Sequence, residues 1–262
     1  MAINIKKRLA WVPNLFTLGN LWLGFFSCII SLKGAFLGSQ DGRLFAIAGT
    51  MIMLAALLDG LDGFMARLLN AQSEVGAQLD SLADLTTFGI APGILFYSLL
   101  LTDWTVQITT RINLPLGMLV AGLYPAAVAF RLARFNVSHD PAVFEGVPSP
   151  VGGMIVALMP LAFSKEADLI QIPDVVLFVI FVVTAYLMVS TIRYSKIQVA
   201  LFRRFSALRG SILLAFALGL VLFLFLKFGT AHAAAFVFAM ILLYLASGLI
   251  SFLIHIVQEY RI

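Results

Sequence analysis

Apolar residues run along this chain in stretches of about twenty, each closed by a short polar or charged break. Stretches long enough to cross roughly 30 Å of hydrocarbon fall at 15–37, 44–69, 77–101, 113–133, 150–164, 174–192, 210–228 and 231–257. The pattern predicts an all-α polytopic membrane protein of eight transmembrane helices. The fifth stretch is the shortest. Pro148 and Pro150 flank Ser149 at its start, which predicts a helix with Ser149 as N-cap and Pro150 in the first position. Ahead of the first span, Ile3, Ile5, Leu9 and Trp11 alternate with Lys6, Lys7 and Arg8, the mixture of an interfacial segment.

Composition agrees with the pattern. Of 262 residues, 61% are hydrophobic and 11% charged, against about a quarter charged in soluble domains. No small-residue cleavage site follows the basic start, so the first span is read as retained. Cys28 is the one cysteine, which excludes an intrachain disulfide. The net charge of +4 is dispersed between spans rather than gathered on one surface, so nucleic acid is not an expected partner. Eight spans put both termini on one side of the membrane. Five of the 17 Lys and Arg residues (Lys33, Arg43, Arg111, Lys165 and Lys227) fall on the opposite side and the other twelve on the side of the termini. The positive-inside rule then puts the termini in the cytoplasm. The layout is that of a prokaryotic cytoplasmic (inner) membrane protein.

Charge changes the picture most between Leu57 and Leu85, in LLDGLDGFMARLLNAQSEVGAQLDSLADL. A carboxylate at the bilayer centre costs about 2.5–3.5 kcal/mol, and four stand here. Asp59 and Asp62 are i, i+3 neighbours, about 60° apart on one helix face, while Asp80 and Asp84 are i, i+4 neighbours, about 40° apart on the next. The short turn at about 70–74 makes the two helices antiparallel, so both pairs can face one cavity at the cytoplasmic side. Clustered carboxylates repel one another unless a cation joins them. Oxygen ligands without a His or Cys set suit Mg²⁺ or Mn²⁺, and Ca²⁺ as well, rather than zinc. His139, His232 and His255 have no metal-ligand spacing. Gly60, Gly63 and Gly76 each cost helix propensity, so close backbone approach is expected, of helix to helix or of helix to ligand. Arg67 at the rim offers a bidentate phosphate donor. The group suits a pyrophosphate-handling site, or an ion pathway.

The residues Asp59, Asp62, Gly63, Ala66, Arg67, Gly76, Asp80 and Asp84 fill every fixed position of D-x-x-D-G-x-x-A-R-x₈-G-x₃-D-x₃-D. In this the chain resembles the CDP-alcohol phosphatidyltransferase family, over about residues 11–190. The resemblance implies a six-helix catalytic core and transfer of a phosphatidyl group from a CDP-linked lipid to an alcohol, with release of CMP. It implies that Asp59, Asp62 and Asp80 hold divalent metal, with Asp84 as a further ligand or as base toward the acceptor hydroxyl. Gly63, Ala66, Arg67 and Gly76 would shape the nucleotide and pyrophosphate pocket, joined by Asn14 and Thr17 from the first span. A homodimer is expected on the same ground.

The acceptor is not named by that motif. Leu132, Arg134, Phe135, Asn136, Phe144, Gly146, Pro148 and Pro150 resemble the (L-x-R/K)-F-N … F-x-G-x-P-x-P run of the phosphatidylserine synthase branch, as do PNLFTLGN and TTFGIAP. That resemblance implies CDP-diacylglycerol as donor and L-serine as acceptor. Arg134 or Arg131 would pair with the serine carboxylate and Asn136 would hydrogen-bond it. Glycerol 3-phosphate, inositol or choline as acceptor, an archaeal-type lipid donor, and cation transport remain as alternatives. The expected organisation is an interfacial segment at 1–14, a catalytic core at 15–192, and a basic connection with two further spans at 193–262.

Overall fold

The computed structural model describes residues 11–38, 42–71, 73–109, 112–137, 146–163, 172–192 and 219–259. Eight helices lie among them: α1 Val12–Phe36, α2 Arg43–Leu68, α3 Glu74–Leu101, α4 Leu116–Val137, α5 Ser149–Ala162, α6 Asp174–Val189, α7 Gly219–Phe228 and α8 Thr230–Glu259. α1, α2, α3, α4 and α8 are long and apolar enough to cross a membrane; α5, α6 and the described part of α7 are shorter. Residues 1–10 and the basic connection 193–218 lie outside the described residues, as do His139 and Phe144.

α1 shows how the bundle is built. Its inward face carries Thr17, Asn20, Gly24, Ser27 and Ser31, all buried, whereas Leu15, Trp22, Phe25 and Ile29 are exposed. Lipid tails are as apolar as leucine, so helices in a bilayer meet through small and polar residues rather than by hiding greasy ones. Ser27 Oγ accordingly donates to the Ala48 carbonyl of α2 at 3.0 Å. A Cβ on Gly24 would stand 2.8 Å from Thr87 Cα of α3, so α1 and α3 touch backbone to backbone there.

α5 is the central helix. Ten of its 14 residues are buried, as expected of a helix apolar all round, and α2, α3, α6 and α8 pack about it. Ser149 is its first residue and Pro148 its cap, so the expected Ser149 cap moves back by one position. The proline lacks an N–H and loses nothing there, while the serine hydroxyl is left for another partner. Phe96 of α3, Phe181 of α6 and Tyr124 of α4 form a stack with centroid separations of 4.1 and 4.7 Å.

Two departures from the sequence expectation matter. α3 is wound with π turns at Leu85–Ile90 and Tyr97–Leu101, and the first begins immediately after Asp84. Such turns shift the side-chain phase and concentrate at functional positions. Between α3 and α4 the chain forms an antiparallel hairpin, Val106–Thr109 with Ile112–Leu114, which span counting did not foresee.

Candidate active site

α2 and α3 are joined by a tight turn that fixes where four carboxylates lie. α2 ends at Leu68, Asn70 takes a left-handed conformation at φ 49°, and Ser73 caps α3 by accepting from the Gly76 amide at 3.0 Å. Asparagine tolerates that backbone region better than most residues. The helices therefore run antiparallel with their acidic faces opposed. Carboxylate oxygens of Asp59, Asp62 and Asp80 all lie within 4.8 Å of one another. At an effective dielectric of about 20, a pair of carboxylates 4.8 Å apart repels by about 3.5 kcal/mol, a repulsion that a proton or a cation relieves, and the three together could hold a metal ion.

Asp62 is the best-anchored of the three: it is buried, and Thr17 of α1 donates to its Oδ2 at 2.8 Å. Asp84 lies a turn further along α3, buried, with the carboxylates of Asp59 and Asp80 and the guanidinium of Arg131 as its charged neighbours.

Beside the acidic group opens a cleft of about 300 Å³ lined by Asn14 and Thr17 of α1, Asp62, Gly63 and Ala66 of α2, and Gly76, Ala77 and Asp80 of α3. The structure thus gathers five of the residues expected for the nucleotide and pyrophosphate pocket into one cavity with two of the aspartates. A Cβ on Gly63 would meet nothing within 4 Å among the described residues. Gly63 also lines the cleft, so a side chain there would project beside the cavity rather than into a helix contact among the described residues. Gly60 also meets nothing, whereas Gly76 faces Asn14 Oδ1 at 3.2 Å and Ser73 Oγ at 3.0 Å. Arg67 does not line the cleft; it is exposed and its Nε donates to the Gly63 carbonyl at 3.0 Å.

The three residues expected at the acceptor separate. Arg131 is buried beside Asp84 and donates through Nη1 to Ser149 Oγ at 2.9 Å, which is what the displaced serine does. Arg134 instead turns to the end of α6, donating to the carbonyls of Val189 and Ser190 at 3.1 and 3.2 Å. Asn136 donates to Ser81 Oγ at 3.0 Å, tying the end of α4 to α3 next to Asp80. Ser149 was missed as a site residue because a serine between prolines reads first as a cap. Asn20, at the end of PNLFTLGN, lies one turn beyond Thr17 on the same face of α1. Its side chain is fully buried, and neither its oxygen nor its nitrogen has a hydrogen-bond partner among the described residues.

A helical membrane bundle that opposes two acidic pairs across a tight turn defines a class of integral-membrane enzyme. Residues 10–189 match the family model for CDP-alcohol phosphatidyltransferase, and the chain belongs to that family. It is similar to the CDP-diacylglycerol–serine O-phosphatidyltransferase of Helicobacter pylori, 33% identical over 189 residues that make up 71% of this chain and 72% of the relative. The enzyme of the same name from Bacillus subtilis is 34% identical over 185 residues, 70% of this chain and 89% of the relative. That from Mycobacterium tuberculosis is 41% identical over 123 residues, 44% of this chain and 40% of the relative. The protein is therefore a transferase of phospholipid biosynthesis, and the ion-transport reading of the aspartates falls away.

Proposed function

We propose that this phosphatidyltransferase uses CDP-diacylglycerol as donor and L-serine as acceptor, yields phosphatidylserine and CMP, and depends on a divalent cation, Mg²⁺ or Mn²⁺. The observation that carries the reading is the meeting of three carboxylates with a nucleotide-sized cleft on one side and a buried arginine on the other. The names of the similar enzymes support serine.

The residues present fit a cation. Asp59, Asp62 and Asp80 offer hard oxygens at a mutual spacing that one ion of 2.0–2.6 Å bond length can bridge. Asp84 Oδ1 is buried without a hydrogen bond among the described residues and stands ready to accept one or to join the ligand set. When bound, the ion supplies positive charge at the donor's pyrophosphate, stabilising the CMP that leaves.

The chain's own groups do the rest. Thr17 holds Asp62 in one orientation. Asn14, Gly63, Ala66 and Gly76 shape the cleft for the cytidine diphosphate, and Arg67, outside the lining, holds the Gly63 carbonyl. Arg131 receives the serine carboxylate, which brings the serine hydroxyl toward Asp84. Asp84 takes the hydroxyl proton as the serine oxygen bonds to phosphorus and the bond from phosphorus to the CMP oxygen breaks. Asn136 and Arg134, both at the end of α4, support this side by tying it to α3 and to the end of α6.

The reaction is assigned to the cytoplasmic face, from the bias of basic residues toward the side of the termini and because CDP-activated donors are cytosolic. Residues 15–192 form the catalytic core in this reading, and the core works as a homodimer. Presenting serine, glycerol 3-phosphate, inositol and choline separately with CDP-diacylglycerol and Mn²⁺, then weighing the lipid product, tests the acceptor. Phosphatidylserine alone is expected; a different lipid, or comparable products from several alcohols, overturns the assignment.

A further inference from the structure

The segment that enters α5 is fastened to the end of α6. The Gly146 amide donates to the Ile192 carbonyl at 2.9 Å, and the Val147 amide to the Leu187 carbonyl at 3.2 Å. Gly146 takes φ 76°, and a Cβ there would run into the Met188 carbonyl, so this close approach needs glycine. Val147 is fully buried. Pro148 then stands at the cap of α5, which leaves the Ser149 hydroxyl free of capping. That hydroxyl, itself fully buried, accepts from Nη1 of Arg131 on α4 at 2.9 Å. Arg131 is only 9% exposed, and its Nε has no hydrogen-bond partner among the described residues.

We infer that Ser149 is the positioning residue of the acceptor site: it holds Arg131 by Nη1 so that the other edge of the guanidinium, Nε with Nη2, is presented to the acceptor's carboxylate. This rests on the reading of Arg131 as the acceptor's cation. A guanidinium gives a carboxylate two parallel donors along one edge, and the pairing works only while the plane is fixed. The long arginine stem would otherwise let that plane turn. The bond to Ser149 pins one nitrogen and leaves Nε, on the opposite edge, as a buried donor of a charged group, costly to leave unpaired. Asp84 does not use that donor. The first turn of α5 adds to the demand for an anion. Ser149 is its first residue, and a helix N-terminus carries partial positive charge, so Ser149 sets one cation beside another. The carboxylate of an amino-acid acceptor has the charge and the paired oxygens to meet both. Through Gly146 and Val147 the direction of Arg131 is thus set by α4, α5 and α6 together.

The test uses the full-length protein in detergent. Ser149→Ala removes only the hydroxyl and is expected to raise the KM for L-serine about tenfold, as for loss of one hydrogen bond to a charged group. The KM for CDP-diacylglycerol should be unchanged. Ser149→Thr keeps the hydroxyl and should keep the serine KM close to that of the parent protein. The double variant Ser149→Ala with Arg131→Lys should be no worse for serine than Arg131→Lys alone. An unchanged serine KM in Ser149→Ala, an equal loss in Ser149→Thr, or effects of Ser149→Ala and Arg131→Lys that simply multiply, overturns the inference while leaving the acceptor reading intact. If Arg131→Lys itself leaves the serine KM unchanged, the acceptor reading fails and the inference falls with it. Should Ser149→Ala lower the melting temperature, the ratio of the two KM values still decides, because a packing defect moves both together.

Discussion

Thr17 of α1 donates a 2.8 Å hydrogen bond to Oδ2 of Asp62 on α2, between two residues 45 positions apart. Both are buried. The bond leaves one carboxylate oxygen for the shared acidic group and sets the direction in which it points. Partners of this kind typically contribute 10–100-fold to metal affinity. Thr17→Val, which keeps the shape and removes the hydroxyl, is expected to raise the Mn²⁺ concentration for half-maximal activity about tenfold. Activity at saturating Mn²⁺ should be largely recovered. A metal titration of the purified variant checks this.

Asp84→Asn keeps volume and hydrogen-bonding capacity but cannot take a proton at the position assigned to the base. Transfer to serine is expected to fall about 10³-fold, within the usual range for a general base, with the KM for CDP-diacylglycerol little changed. Steady-state kinetics beside a thermal melt separate this from misfolding. Near-normal turnover would remove Asp84 as the base.

The two arginines near the end of α4 should fail differently. Arg134 caps α6 through the Val189 and Ser190 carbonyls, so Arg134→Ala is expected to cost about 1–3 kcal/mol of stability and to affect both substrates alike. Arg131→Ala should raise the serine KM selectively. Melting curves and the two KM values measured in parallel distinguish the cap from the acceptor contact.

Gly63 and Gly49 provide a contrast between space kept for a ligand and space used by a neighbour. Gly63 borders the cleft with nothing among the described residues within 4 Å of an added Cβ, so Gly63→Leu should leave the melting temperature unchanged while raising the KM for CDP-diacylglycerol at least tenfold. Gly49 lies against the Ala157 carbonyl of α5. Gly49→Ala should instead lower the melting temperature, by overpacking worth about 1–3 kcal/mol. Thermal melts and donor kinetics on the two variants decide.

Much of the bundle is legible in the sequence, because hydrocarbon imposes runs of apolar residues that stand out against the polar breaks. The aspartate spacing is legible too: helical geometry alone sets Asp59 with Asp62 and Asp80 with Asp84, and a five-residue turn brings the pairs together. What is hidden depends on where long side chains turn. Arg131 and Arg134 differ by one helical step, and nothing local to the chain says that one enters the core while the other caps α6. The hairpin at 106–114 had a signal in the alternation of Val106, Gln107, Ile108 and Thr109, overshadowed by the longer spans on either side.

The central claim is that two neighbouring helices share one cation among Asp59, Asp62 and Asp80, and that transfer requires it. The direct measurement is phosphatidylserine and CMP formation by protein stripped with chelator, before and after Mn²⁺ or Mg²⁺ is returned, with Asp62→Asn and Asp80→Asn in parallel. No product from the stripped protein, recovery on adding the ion, and no recovery in the variants are predicted. Full turnover without a divalent ion would contradict the account.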